Sequence, residues 1–148
     1  MLRNFFLLLI TLISFAEVGA QTAAPYEYDT DRLPASFFST NRKRVLERMP
    51  DSSVAVFFSA PARNRSNDVN YVFHQDPDFY YLTGIRESNA MLMLFKPAIS
   101  YYGKLTDEML FVHDIDTTKE MWNGKMITKE KAGSVSAAEL VLYSSAVP

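Results

Sequence analysis

The sequence predicts an α/β fold, a mixed β-sheet with flanking helices, and three observations carry that prediction. A helical stripe comes first: Val45, Leu46 and Met49 follow Phe38 at seven, eight and eleven residues, one face of a 3.6-residue repeat. Three short runs rich in β-branched, aromatic and methionine residues come next: Ser53 to Ser59, Asn89 to Lys96, and Glu108 to His113. Finally, Tyr101-Tyr102-Gly103-Lys104 joins the last two runs as a tight connection of hairpin type.

The elements follow in chain order. Met1-Leu2-Arg3-Asn4 is a short positive start, Phe5 to Ala16 is an apolar run, and Val18-Gly19-Ala20 has the small residues of a cleavage site. This predicts a signal peptide over 1–20, cut before Gln21, and export to a periplasm or the medium. The apolar run is shorter than the roughly 20 residues of a membrane-spanning helix, so no stable span is expected after cleavage. Residues 21–35 are polar, carry two prolines and show no period, which reads as an N-terminal arm. The helical pattern starts at Ser36 and stops at Met49-Pro50-Asp51. Arg42, Lys43, Arg44, Glu47 and Arg48 read as its solvated face rather than a nucleic-acid patch, because 15 basic against 17 acidic residues leave a net charge of −2.

Ser53 to Ser59 is apolar at successive positions without clean alternation, which predicts a strand covered on both faces; Asn89 to Lys96 reads the same way. Asp116 to Trp122 is expected to be a short helix, with Thr117 or Thr118 near its cap and Asn123-Gly124 closing it. Ser134 to Ser144 fits helix or strand. There is no cysteine, so no disulfide is available and stability rests on packing or on a partner.

Two clusters invite a chemical reading. His74, Asp76 and Asp78 alternate as metal ligands on an extended strand would. Pro77 opposes that geometry and favours a capped turn, with Asp78 capping Phe79 to Leu82 and Gly84 closing it. His113-Asp114-Ile115-Asp116 places a histidine beside two carboxylates, yet a strand end running into a helix cap is the favoured reading. No zinc, nucleophile-elbow or phosphate-loop motif occurs. No catalytic and no metal-binding residue is assigned.

The ordered blocks Ser59-Ala60-Pro61, Arg65-Ser66-Asn67-Asp68, Tyr71-Val72-Phe73-His74-Gln75-Asp76 and Asp78-Phe79-Tyr80-Tyr81-Leu82-Thr83-Gly84 resemble the amino-terminal domain of aminopeptidase P, the Xaa-Pro aminopeptidases of the creatinase/prolidase superfamily. The similarity runs from about Asn41 through Glu120-Met121-Trp122-Asn123-Gly124. It implies a ribonuclease H-like first domain over 36–148, truncated, whose partner is the chain's own C-terminal "pita-bread" catalytic domain beyond Pro148. The resemblance further implies two Mn2+ ions in that absent domain and none bound here, with proline-containing peptides as substrates and a homo-oligomer as the assembly. Arg65 and Asp68 fall in an R-S-x-D pattern that pairs within the domain. Trp122 matches the tryptophan of an E-x-W pattern and is the one substrate-binding candidate, with packing as its other reading. His113-Asp114-Ile115-Asp116 stands where the family shows an arginine-rich run, and Lys125-Met126-Ile127-Thr128 replaces a typical arginine and glycine.

The functions implied are the N-terminal portion of an exported Mn-dependent Xaa-Pro aminopeptidase, shaping the cleft and the oligomer, or a stand-alone peptide-binding or oligomerisation module. A prolidase- or creatinase-like hydrolase is a third, which the D-F-Y-Y-L-T-G block disfavours.

Overall fold

In the computed structural model, described over residues 32–146, the first element is helix α1, Ala35–Arg48. The expected signal peptide and most of the expected arm lie outside the described residues. Pro34 occupies the N-cap position of α1, and the Met49 amide closes its end on the Val45 and Leu46 carbonyls. Strand β1, Ser53–Phe58, follows. A small hairpin comes next, made of β2, Asn64–Ser66, and β3, Val69–Asn70. Helix α2 spans Pro77–Thr83. The long strands β4, Met91–Tyr101, and β5, Lys104–Val112, are joined through Tyr102 and Gly103, both at positive φ. This is the two-residue turn whose twist matches an antiparallel pair. Helices α3, Thr117–Asn123, and α4, Lys129–Ser136, lead to strand β6, Val141–Tyr143, and a single 3-10 turn, Ser144–Ala146.

The main sheet has the order β1-β4-β5-β6. The first two pairings are antiparallel and β5–β6 is parallel, so the sheet is mixed as expected. Helices α1, α2 and α4 pack together on one face. Phe79, Leu82, Leu92, Leu94, Leu110, Val112 and Ala132 form the core there, with Ala55 and Phe57 of β1 packed against it. By the two-residue alternation of a strand, Phe95, Met109 and Phe111 point to the opposite face.

That opposite face corrects one expectation. Strand β1 is not covered on both sides: Val54, Val56 and Phe58 are 54%, 40% and 65% exposed. The apolar residues on both faces hid an alternation that only burial reveals. The hairpin and strand expectations for the other two runs hold. The ambiguous stretch Ser134 to Ser144 resolves into the end of α4 followed by β6.

A second correction lies in α1. Phe38, Val45, Leu46 and Met49 face the core as expected, but Arg42, assigned to the solvated face, is fully buried. Positions 38, 42, 45 and 49 form one helical stripe, so the guanidinium must enter the core. All its donors are used there. Nε and Nη2 grip the two oxygens of Glu108 on β5 at 2.7 and 2.9 Å. Nη1 donates to the Leu82 and Ser136 carbonyls, both at 2.9 Å, and Nη2 also reaches Ala137 O at 3.0 Å. Those carbonyls end α2 and α4, so a single cation completes two helix C-termini. Glu108 is completed by the Glu139 amide at 2.9 Å. No buried side-chain polar atom among the described residues lacks a partner.

Removing one member of a buried ion pair costs about 3–5 kcal/mol, because the other charge stays buried. Arg42→Met is therefore expected to lower the unfolding free energy by about that amount in urea titration. A loss under about 1 kcal/mol, the range of an exposed pair, contradicts this account.

Candidate functional site

The functional candidates lie at the sheet edge and on α3, away from the buried pair. The His74 to Ile85 stretch is scaffold. Asp76, not Asp78, is the N-cap of α2: its Oδ1 accepts from the Phe79 amide at 2.9 Å, and Pro77 takes the first helical position. Asp78 is exposed in the first turn. Gly84 closes α2 as expected, at φ 69°, with its amide on the Tyr80 carbonyl. A Cβ at Gly84 would lie 2.5 Å from the Phe38 ring, so glycine is required both for its backbone and for its lack of bulk. His74 is exposed and lines an open groove of about 570 Å³ with Arg63, Tyr71 and Phe73.

Gln75, which no sequence pattern singled out, holds this region together. Its side-chain carbonyl accepts from the Ala60 and Asp76 amides at 2.8 and 2.9 Å. Its amide nitrogen donates to the Ile85 and Glu87 carbonyls at 3.1 and 2.9 Å. One side chain thereby fastens the exit of β1, the start of α2 and the loop beyond it. The expected pairing of Arg65 with Asp68 is not formed. Both residues are exposed, and the Arg65 guanidinium lies over the Tyr71 ring, 6.0 Å from its centroid.

Strand β5 runs into α3 through His113 to Asp116, and each polar side chain there has a local task. His113 Nδ1 lies 2.8 Å from the Asp114 carbonyl. Asp114 accepts from the Ser144 hydroxyl at 2.7 Å and from the Ser145 hydroxyl and amide at 2.6 and 2.9 Å. The Ser145 and Ser144 hydroxyls hold its carboxyl below the usual aspartate range. Asp116 caps α3 by accepting from the Thr118 and Lys119 amides, with Thr117 and Thr118 next to it as the first helical residues, so the strand end runs into a helix cap as expected. Among the described residues no three histidine or acidic side chains converge as metal ligands. Asp76, Asp114 and Asp116, the carboxylates beside the two histidines, instead serve as helix caps and turn acceptors.

Helix α3 buries none of its residues, and Met121 and Trp122 are 77% and 82% exposed. Within the described residues Trp122 is thus no core residue. Glu120 clasps the segment after the helix, accepting from the Met126 amide and from Lys125 Nζ, both at 3.0 Å. The Met126 amide, then Lys125, hold its carboxyl below the usual glutamate range. Beneath α3 lies a cleft of about 430 Å³ lined by Glu87, His113, Lys119, Lys125 and Met126 among others.

Residues 38–148 match the family described as aminopeptidase P, N-terminal domain. The Xaa-Pro aminopeptidase of Haemophilus influenzae is 36% identical over 101 residues, covering 68% of this chain and 22% of that protein. The Xaa-Pro aminopeptidase of Escherichia coli is 34% identical over 95 residues, covering 64% of this chain and 21% of its own length. A solved structure of Escherichia coli aminopeptidase P superposes with a TM-score of 0.64 at 30% identity, covering 76% of this chain and 24% of that one. The chain therefore spans about a quarter or less of the proteins it resembles.

The capping assignment separates scaffold from metal site. Asp76→Ala is expected to cost about 1 kcal/mol in thermal unfolding, the usual loss of an N-cap, with Asp78→Ala closer to neutral. Equal losses from both, or a Mn2+-dependent rise in melting temperature abolished by either, contradicts the cap reading.

Proposed function

The chain belongs to the aminopeptidase P N-terminal domain family, and on that premise we propose that it is the cleft-shaping domain of an exported Xaa-Pro aminopeptidase. The substrates are peptides with a free amino terminus and proline in second place. The observation that carries the reading is Trp122, an exposed indole on a helix that buries nothing. An indole face turned to solvent is suited to pack on an apolar residue or a proline ring, with its N–H free for a polar partner. Trp122 in this reading borders the catalytic cleft of its own or a neighbouring subunit of a homo-oligomer.

The chemistry belongs to the C-terminal catalytic domain. On this reading, a pair of Mn2+ ions held there would supply an activated water and charge stabilisation for the oxyanion. This chain's residues contribute binding and access. The apolar run Phe5 to Ala16, followed by small residues, supports export. The open apolar face at Val54, Val56 and Phe58 supports work within a larger assembly. It also favours the second reading, a peptide-binding or oligomerisation module without chemistry of its own.

The test is kinetic, on the protein carrying the catalytic domain. Trp122→Ala is expected to raise KM for an Xaa-Pro peptide about tenfold with kcat little changed, the pattern of lost uniform binding. Unchanged KM removes Trp122 from the substrate. An open reading frame that ends at Pro148 with no catalytic companion, or Mn2+-dependent turnover by residues 1–148 alone, overturns the division of labour.

A further inference from the structure

The His74 groove does not end at Phe73. A second pocket, of about 360 Å³, shares Phe73 and His74 with it and continues past Pro77 to Tyr80 and Arg86. Together they form one open trough. The rings of Tyr71, Phe73 and Tyr80 line it. Arg63 stands in the first pocket, His74 where the two meet, and Arg86 in the second. No carboxylate occurs among the described residues that line either pocket, although the chain as a whole carries a net charge of −2.

The trough is held in shape by its own bonds. The Tyr71 amide donates to the Arg63 carbonyl at 2.9 Å, tying the two sides of the first pocket. Gln75 fastens the segment after His74 to the Ala60 amide at 2.8 Å and to the Ile85 carbonyl at 3.1 Å. Cations brace two of the rings: Arg65 lies 6.0 Å from the Tyr71 centroid, and Arg86 lies 5.5 Å from that of Tyr80. Asp76 adjoins the trough in sequence, but its Oδ1 accepts from the Phe79 amide as the cap of α2. Tyr71, Val72 and Phe73 are all exposed, so their apolar surface is open to a partner.

We propose that this trough is a docking site for an acidic peptide segment of a partner protein. Its carboxylates are met by Arg63, His74 and Arg86, and an apolar side chain is laid on Tyr71 and Phe73. A guanidinium can take a carboxylate through two parallel N–H bonds, and an imidazole keeps an N–H to donate in either protonation state. Arginine clusters bind acidic segments in this way. A nucleic-acid strand fits less well. Its binding grows with the number of phosphates met by Lys and Arg, and two arginines in a net-acidic chain offer a short footprint. Trp122 lines neither pocket, so the site depends on no substrate role for that residue.

The test uses the full chain and two blocked pentapeptides, acetyl-Glu-Glu-Phe-Glu-Glu-amide and its counterpart with four glutamines, followed by proton–nitrogen NMR at low salt. The acidic peptide is expected to bind at least about tenfold more tightly, with the difference shrinking as salt rises toward about 0.5 M. Its shifts should map to the amides of Arg63, Tyr71, Phe73 and His74. Arg63→Gln is expected to weaken binding about tenfold. Arg44→Gln, an equal charge loss at an exposed position of α1, should leave it unchanged. Both arginines are exposed, so neither variant disturbs the core. No binding, equal binding of the two peptides, shifts outside the trough, or equal losses from both variants overturns the proposal. So does tighter binding of a pentauridylate, which would make the trough a nucleic-acid site. The acetylated peptides have no free amino terminus and so are not aminopeptidase substrates. Trp122→Ala should therefore leave their binding intact, whatever it does to KM; a loss there overturns the docking site and assigns the peptide to the region of α3.

Discussion

The guanidinium of Arg42 is the point through which the domain is tied. It neutralises Glu108 in the central strand pair and closes the carbonyl ends of α2 and α4, joining elements separated by 66, 40 and 94 residues in sequence. Each contact depends on the others. The carboxylate would be costly to bury without the cation, and the cation without the carboxylate and the carbonyls. The apolar residues around it, Leu82, Leu94 and Leu110 among them, supply the burial that drives folding. The polar knot defines how the helical layer sits on the sheet. An apolar core alone tolerates several packings, whereas a five-donor fork with every donor matched tolerates few.

Stability grades outward from that knot to the candidate site. Strands β4 and β5 with α1 and α2 are held by both core and knot. The β2–β3 hairpin, the His74 groove and α3 are exposed and held by local polar contacts: Asp76, Gln75, Asp114, Asp116 and Glu120. A surface made in this way can present an aromatic side chain at a fixed angle with little apolar area buried beneath it. It also responds to charge, because most of the clips are carboxylates. The site is thus adjustable where the scaffold is not, the usual division between loops that contact ligands and the elements that carry them.

Much of this was legible in the sequence, and the failures have physical causes. The α1 stripe, the β4–β5 hairpin and the Gly84 terminus follow from local periodicity and turn chemistry. The burial of Arg42 is not legible because residue type outweighs position: arginine is seldom buried, and its partner Glu108 carries no local mark. The cap of α2 lies two residues before the expected Asp78, and Asp76-Pro77 carries the signal for it, since proline favours the first helical position. Helix α4 is not legible from Lys129 to Gly133, and Ser134 onward fits helix or strand equally, because Lys129–Ser136 buries just Ala132 and Ser136 and shows almost no apolar stripe. The open face of β1 could not be read at all, because exposure of Val54, Val56 and Phe58 is a tertiary fact. Trp122 could be placed on a helix, but its exposure could not.

The most direct measurement of the central claim is native-state hydrogen exchange at the Glu139 amide. This group belongs to an exposed residue in the short connection between α4 and β6, and it donates to Glu108 Oε1 at 2.9 Å. If the buried pair organises the domain, this amide opens only when the knot does. It should then show the same opening free energy as the amides of Leu92 and Leu110 in the core strands. Exchange at the rate of an ordinary surface connection, with the strands still protected, would show that the knot opens on its own and that the apolar layer holds the fold without it.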